Sequence, residues 1–232
     1  MKSLILISLS LCILLLVFLG IKTPEKFDEL HVADSKKAKD ILLLTEQKYN
    51  SLTFYKSKGV SEYPEDSADS KLSSTTFDLV YESPSRMNVI WKDADNDDAK
   101  NFCVDGKTIT LKEGNEVKKF TSISNGLFYA SFGKHIFGVP DLLIIKKYLS
   151  NYSLISKFSN IQKLEDENVD GNLCYRVKAD VNGVATDGKA VFTYWIDKES
   201  FLIRKIDKVL VLAEVGLPTN KITEKYSEIE VR

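Results

Sequence analysis

At 232 residues with 44% hydrophobic side chains, the chain is long enough to bury one good core, in one domain or a small two-domain body. Its 32 basic and 33 acidic side chains leave a formal net charge of -1 with both signs interspersed. No basic stripe therefore marks a nucleic-acid partner, and no acidic tail marks a basic one.

The N-terminus bears on the compartment. Lys2 precedes Leu4 to Ile21, 18 residues broken only by Ser8, Ser10, Cys12 and Gly20. At about 1.5 Å per residue a helix of that length approaches a hydrocarbon core of ~30 Å. Residues 1–23 are therefore expected to be a signal peptide or an N-terminal membrane anchor, with the body exported to a periplasmic or other extracytoplasmic space. The length favours an uncleaved anchor in the inner membrane, associated through residues 4–21, because Phe18-Leu19-Gly20 and Ile21-Lys22-Thr23 both lack two small residues at a cut. Leu11 before Cys12, with the apolar run continuing past it, excludes a lipid-modified cysteine. Without residues 1–23 the body carries 30 basic and 33 acidic side chains, a mildly acidic balance.

Residues 24–33 read as a polar linker, and 34–232 as the folded domain. Asp34 or Ser35 is placed to cap a helix to about Asn50, with Ala38, Ile41, Leu42, Thr45, Tyr49 and Leu52 on one face. Short strands are expected over 52–61, 75–81, 87–91, 101–105, 108–112 and 117–121, with Asp105-Gly106-Lys107 and Glu113-Gly114-Asn115 as tight turns. Over 125–152 the period becomes helical. Leu127, Phe128, Ser131, Phe132, His135 and Ile136 form one face, Gly138 stops it, and Pro140 starts a second short helix with Leu142 and Leu143. Two such apolar helices between sets of strands must cover a sheet face or plug its open end. Strands resume over 161–166, 173–181, 190–196, 202–212 and 222–231, and Asp170-Gly171-Asn172 opens the most regular alternation of the chain. The fold class is α+β: a curved antiparallel sheet of about ten strands forming an incomplete β-barrel, with an N-terminal helix and the inserted short helices as a lid.

With Cys12 in the anchor, Cys103 and Cys174 remain in an oxidising compartment. They are available for one disulfide, or are simply small residues on strands. His31 and His135 are the only histidines, so no histidine metal site is expected. Asp93-Ala94-Asp95-Asn96-Asp97 begins like a calcium loop, but Asp98 stands where the loop needs glycine and Val104 where it needs glutamate. Phosphate-cradling glycine loops and a nucleophile elbow are absent from the sequence. These readings point away from an enzyme, and no cofactor is called for.

Tyr81-Glu82-Ser83-Pro84-Ser85-Arg86-Met87-Asn88-Val89, followed by Cys103-Val104-Asp105-Gly106-Lys107-Thr108, resembles the strand and turn pattern of LolA-like proteins, the lipoprotein carriers and their relatives. Gly138-Val139-Pro140-Asp141-Leu142-Leu143, Val169-Asp170-Gly171-Asn172-Leu173-Cys174-Tyr175 and Trp195-Ile196-Asp197-Lys198-Glu199 resemble more closely the uncharacterised DUF2092 branch. The resemblance covers roughly residues 35–231 and implies an unclosed barrel whose hydrophobic cavity, under a helical lid, shelters acyl chains. It implies a lipid or lipoprotein acyl chain as ligand, and an envelope protein as a further partner. Ser83 departs from the pattern, since the carriers have arginine immediately before the proline.

Candidate lining residues are Leu79, Tyr81, Val89, Trp91, Phe102, Val104, Tyr175, Val177 and Trp195 from the sheet, and Leu127, Phe128, Phe132 and Leu142 from the lid. Ordinary filled core is the competing reading for each sheet residue. Two function classes follow: a lipid-binding envelope protein, and a membrane-anchored interaction or sensor module with no small-molecule ligand.

Overall fold

The computed structural model describes residues 25–64, 72–82, 86–94, 98–123, 125–126, 153, 155–181, 189–211 and 220–232. Helix α1 (Glu25–Ser51) leads into strands β1 (Phe54–Pro64), β2 (Leu72–Glu82), β3 (Arg86–Asp93), β4 (Lys100–Asp105), β5 (Thr108–Glu113) and β6 (Glu116–Phe120). After a 3-10 turn (Ile155–Lys157) come β7 (Phe158–Val169), β8 (Asn172–Val181), β9 (Lys189–Asp197), β10 (Ile203–Val211) and β11 (Asn220–Val231).

The strands form one 11-stranded sheet in the order β6-β5-β4-β3-β2-β1-β11-β10-β9-β8-β7. Each strand is antiparallel to its neighbour, and β6 and β7 are left as edges. Among the described residues the sheet is therefore open, in keeping with the expected incomplete barrel, with eleven strands for the expected ten or so. It consists of two meanders joined where β11 returns beside β1. The connection from Phe120 to Phe158 consequently runs between opposite edges of the sheet.

Local chemistry explains the hairpins. Asp170 (φ 49°) and Gly171 (φ 84°) both take positive φ, the requirement of a two-residue type I′ turn, and Asn168 Oδ1 accepts from the Gly171 amide at 2.9 Å. Bulges interrupt β11 opposite Ser57 of β1, where Glu228 takes φ 49°, β10 between Ile203 and Lys205, and β7 at two places. Those in β7 break its alternation, which is why only 161–166 reads as strand from the sequence.

α1 packs against β7 and the 3-10 turn. Ala38, Ile41, Leu42, Thr45 and Tyr49 are its buried stripe, and Thr45 Oγ1 satisfies itself by donating to the Ile41 carbonyl at 2.9 Å. The helix begins at Glu25, so nearly all of the linker expected over 24–33 is helical instead. Glu25, Lys26, Asp28 and Glu29 give that stretch its polar look, while Phe27, Leu30 and Ala33 stand at the three-residue spacing that a helix allows. Among the described residues no helix is long and apolar enough to cross a membrane. Residues 4–21 lie outside them.

Candidate ligand-binding face

The face of the sheet that meets α1 is here termed the inner face. Tyr49 joins the two: its hydroxyl accepts from the Ile203 amide at 3.1 Å, and its ring lies 5.7 Å from that of Tyr55. On β2, β3 and β4 the register sets Phe77 opposite Trp91, Leu79 opposite Val89, and Val89 opposite Phe102, while Tyr81, Met87 and Val104 form the next row. Six candidates, Leu79, Tyr81, Val89, Trp91, Phe102 and Val104, therefore share this face, and all six are buried. Gly59 makes the row possible. A Cβ there would sit 2.1 Å from Phe77 Cζ, so only glycine lets the Phe77 ring lie across β1 toward Tyr226, 5.7 Å away.

Tyr175 and Val177 lie on the same face five or more strands from β2, opposite Ile196 and Tyr194. Val177 is buried. Tyr175 is half-buried near the end of β8, with Lys198 Nζ at 5.0 Å and Lys163 Nζ at 6.0 Å from its ring centroid. Both lysines pair with Asp166. Burial pushes the Asp166 carboxyl up, but the two lysines outweigh it and hold the group below its ordinary value.

Trp195 does not join the set. It pairs with Arg176 and Lys205 on the outer face, while its neighbours Tyr194 and Ile196 point inward. Only 5% exposed, it is covered by cations: Lys205 Nζ lies 4.0 Å and the Arg176 guanidinium 5.9 Å from its ring centroid. Glu167 stands beside it, 2.8 Å from the Arg176 guanidinium, and is held below its ordinary pKa by the nearby Trp195 indole and by Arg176. An outer groove of ≈ 490 Å³ next to Trp195 is lined by Arg176, Lys178 and Asp207 as well as Val191 and Val209, a charged setting that does not suit an acyl chain.

The inner face also carries a polar group that apolar patterning alone does not reveal. Lys208 is paired with Glu224 at very short range, and Tyr226 Oη donates to Glu224 Oε2 at 2.8 Å. Glu224 is 1% exposed and the Lys208 side chain 12%. Parity could have found them. Lys208 lies two residues from inward-facing Ile206, and Glu224 sits between Ile222 and Tyr226 at the same period-2 spacing. Nearby, Thr75 Oγ1 donates to Asp93 Oδ1 at 2.7 Å, and Tyr63 reaches Thr75 at 3.4 Å. Asp93 thus ends β3 as a buried inner-face residue.

Both described ends of the connection between the sheet edges lie on the inner side. At one end, Ser122 Oγ accepts from the Asn125 amide at 3.2 Å, the mark of a helix N-cap, and Ile123 packs on the core. A Cβ on Gly126 would come within 2.7 Å of Phe102 and 3.1 Å of Ile109, so this backbone lies directly against the sheet. At the other end, Ser153 donates to Glu46 of α1 at 3.2 Å, and Ile155 packs on the core. The candidates Leu127, Phe128, Phe132 and Leu142 fall outside the described residues.

Cys103 and Cys174 are both free. They lie on β4 and β8, with six strands between them, so the disulfide considered from the sequence is not formed. Burial raises both thiols, Cys174 to about 11, which leaves them poor nucleophiles. Among the described residues no cluster of histidine, cysteine and carboxylate side chains could hold a metal.

No protein-family model and no curated protein matches the chain, so the narrower resemblance to the DUF2092 branch rests on its turn residues alone. Solved structures do match over most of its length. The lipoprotein LppX of Mycobacterium tuberculosis is 16% identical, with a TM-score of 0.46 over 81% of this chain and 94% of that one. A DUF1329 family protein from Desulfovibrio piger is 14% identical, with a TM-score of 0.41 over 85% and 93%. A LolA superfamily protein from Nitrosomonas europaea is 10% identical, with a TM-score of 0.38 over 84% of this chain and 93% of its own.

Proposed function

We propose that this is an exported cell-envelope protein that holds an acyl chain of a lipid or lipoprotein between the inner face of the sheet and a helical lid formed by the connection between its edges. One observation carries the reading. The connection runs from edge to edge, and its described ends, at Gly126 and at Ser153 and Ile155, both sit on the inner face. The apolar sequence between them supplies the side chains to enclose a chain against Leu79, Val89 and Phe102. A 16-carbon acyl chain gains about 0.8 kcal/mol per buried CH₂, on the order of 10 kcal/mol before the costs of binding. That suffices to hold a lipid.

A second reading has its own support. Leu79, Val89 and Phe102 are each 0% exposed, as expected of a face filled by the protein's own side chains. This favours a membrane-anchored interaction or sensor module with no small-molecule ligand. Native mass spectrometry with lipid extraction, on full chain purified from the membrane fraction of an exporting host, separates the two. Stoichiometric lipid is the expected result. A clean apo mass, with no uptake of a fluorescent fatty acid at micromolar protein, would overturn the lipid reading in favour of the module.

A further inference from the structure

The inner face is not uniformly apolar, and its polar atoms are arranged along one line. On β1 the inward positions after Tyr55 are Ser57, Gly59 and Ser61. Ser57 is 1% exposed and Ser61 0%, and neither hydroxyl has a hydrogen-bond partner among the described residues. The Tyr81 hydroxyl, one row from Ser57 on neighbouring β2, is buried in the same condition. Ser61 faces Glu224 directly across the β1/β11 ladder, so the line ends at the Lys208–Glu224 pair. Buried hydroxyls normally find partners, and three on one face without any mark a place where a ligand's polar atoms are satisfied.

The charge of this place limits what enters. Glu224 is neutralised by Lys208 and fixed by Tyr226, so the pair offers no spare cation to an anionic headgroup. A phosphate or free carboxylate would have to displace Glu224 from Lys208 or lie beside a like charge. Ester carbonyls and hydroxyls need neither. They accept from and donate to serine and tyrosine hydroxyls.

We propose that the line Tyr81, Ser57, Ser61, ending at the Lys208–Glu224 pair, is a polar subsite for the ester and hydroxyl atoms of a neutral acyl ester of the acylglycerol type, and that it discriminates against free fatty acids and anionic phospholipids. This rests on the reading of the inner face as an acyl-chain site.

The test uses the full chain in a non-lipid detergent and three probes with the same acyl chain: dipalmitoylglycerol, palmitate and dipalmitoylphosphatidylglycerol. Binding is read by native mass spectrometry. Dipalmitoylglycerol is expected to bind at least about tenfold more tightly than either anion, and the double variant Ser57→Ala, Ser61→Ala to reduce that preference about fivefold or more, at the scale of one or two neutral hydrogen bonds. Removing two unpartnered hydroxyls leaves the fold intact, which circular dichroism checks. Glu224→Gln supplies the second arm: it leaves Lys208 without its carboxylate and is expected to raise affinity for both anions relative to dipalmitoylglycerol. Equal binding of the three probes, or a preference unchanged in both variants, would overturn the subsite while leaving the acyl-chain reading standing. Binding of none of the three overturns that reading, and the subsite with it.

Discussion

Trp91 and Trp195 are both almost fully buried, but on opposite faces of one sheet and by different means. Trp91 lies among Phe77, Val89 and the rest of the inner core, where burial comes from apolar packing. Trp195 lies on the outer face of β9, beneath the Lys205 ammonium and the Arg176 guanidinium, where burial comes from the stems and heads of cations. Exposure alone does not tell a ligand-facing aromatic from a surface one. What surrounds the ring decides.

The contrast fails first if the inner face has slack. Trp91→Ala is expected to cost about 3–5 kcal/mol in urea unfolding, as for a packed core tryptophan. A loss below ~1.5 kcal/mol would mean that the ring lines open space, which is the more useful result for a binding face. Gly59→Ala probes the same packing from the opposite direction. Its methyl would enter the Phe77 ring, and a loss of roughly 1–3 kcal/mol is expected. Gly106→Ala, at a turn with φ 61° and nothing within 4 Å, serves as the control that carries backbone strain without a clash.

The outer face supplies the smaller effects. Burial pushes the Asp197 carboxyl up, but the amide and hydroxyl of Ser200, the Arg204 guanidinium and the Glu199 amide outweigh it and leave the group below its ordinary value. A carboxyl depressed in the folded state contributes stability above its unfolded pKa, and that contribution is lost as pH falls through the folded value. Urea midpoints should therefore fall between about pH 5 and pH 2, where unfolded carboxyls take up protons first. Asp197→Asn should flatten part of that fall. An identical pH profile in the variant would remove Asp197 from the account. Smallest of all, Lys205→Met is expected to cost about 0.5–1 kcal/mol and to shift the Trp195 emission, since it removes the nearer cation from the ring. An unchanged spectrum would mean that the ammonium does not rest there in solution.

Hairpins and strand faces were legible in the sequence wherever two signals agreed. Asp170-Gly171 announces a turn, and the alternation after it sets Tyr175 and Val177 inward, as the structure has them. Trp195 was misplaced because hydrophobic character stood in for parity: counting in twos from Tyr194 puts it outside. The same habit hides Lys208 and Glu224, whose inward positions are plain from Ile206, Ile222 and Tyr226 but whose charge argues for the surface. Strand order was beyond reach, since nothing in β11 names β1 as its partner. Cys103 and Cys174 show the cost of that gap, because a pair considered from composition stands with six strands between its members.

The place of β11 has a consequence for how the molecule is made. β1 and β11 pair across a sequence separation of 174 residues at Lys56 and Glu230, so the central ladder is also among the least local. The β1 to β6 meander pairs strands adjacent in sequence and can form as it emerges, while β1 waits with one side unpaired. At synthesis rates of about 5–20 residues per second that wait lasts roughly 10–35 seconds, and the strand left waiting carries Gly59 and two inward serines in place of large apolar side chains. A nascent edge of that composition is a poor template for self-association. The glycine and inward serines of β1 are therefore also suited to keeping the half-made sheet in solution until its closing strand arrives.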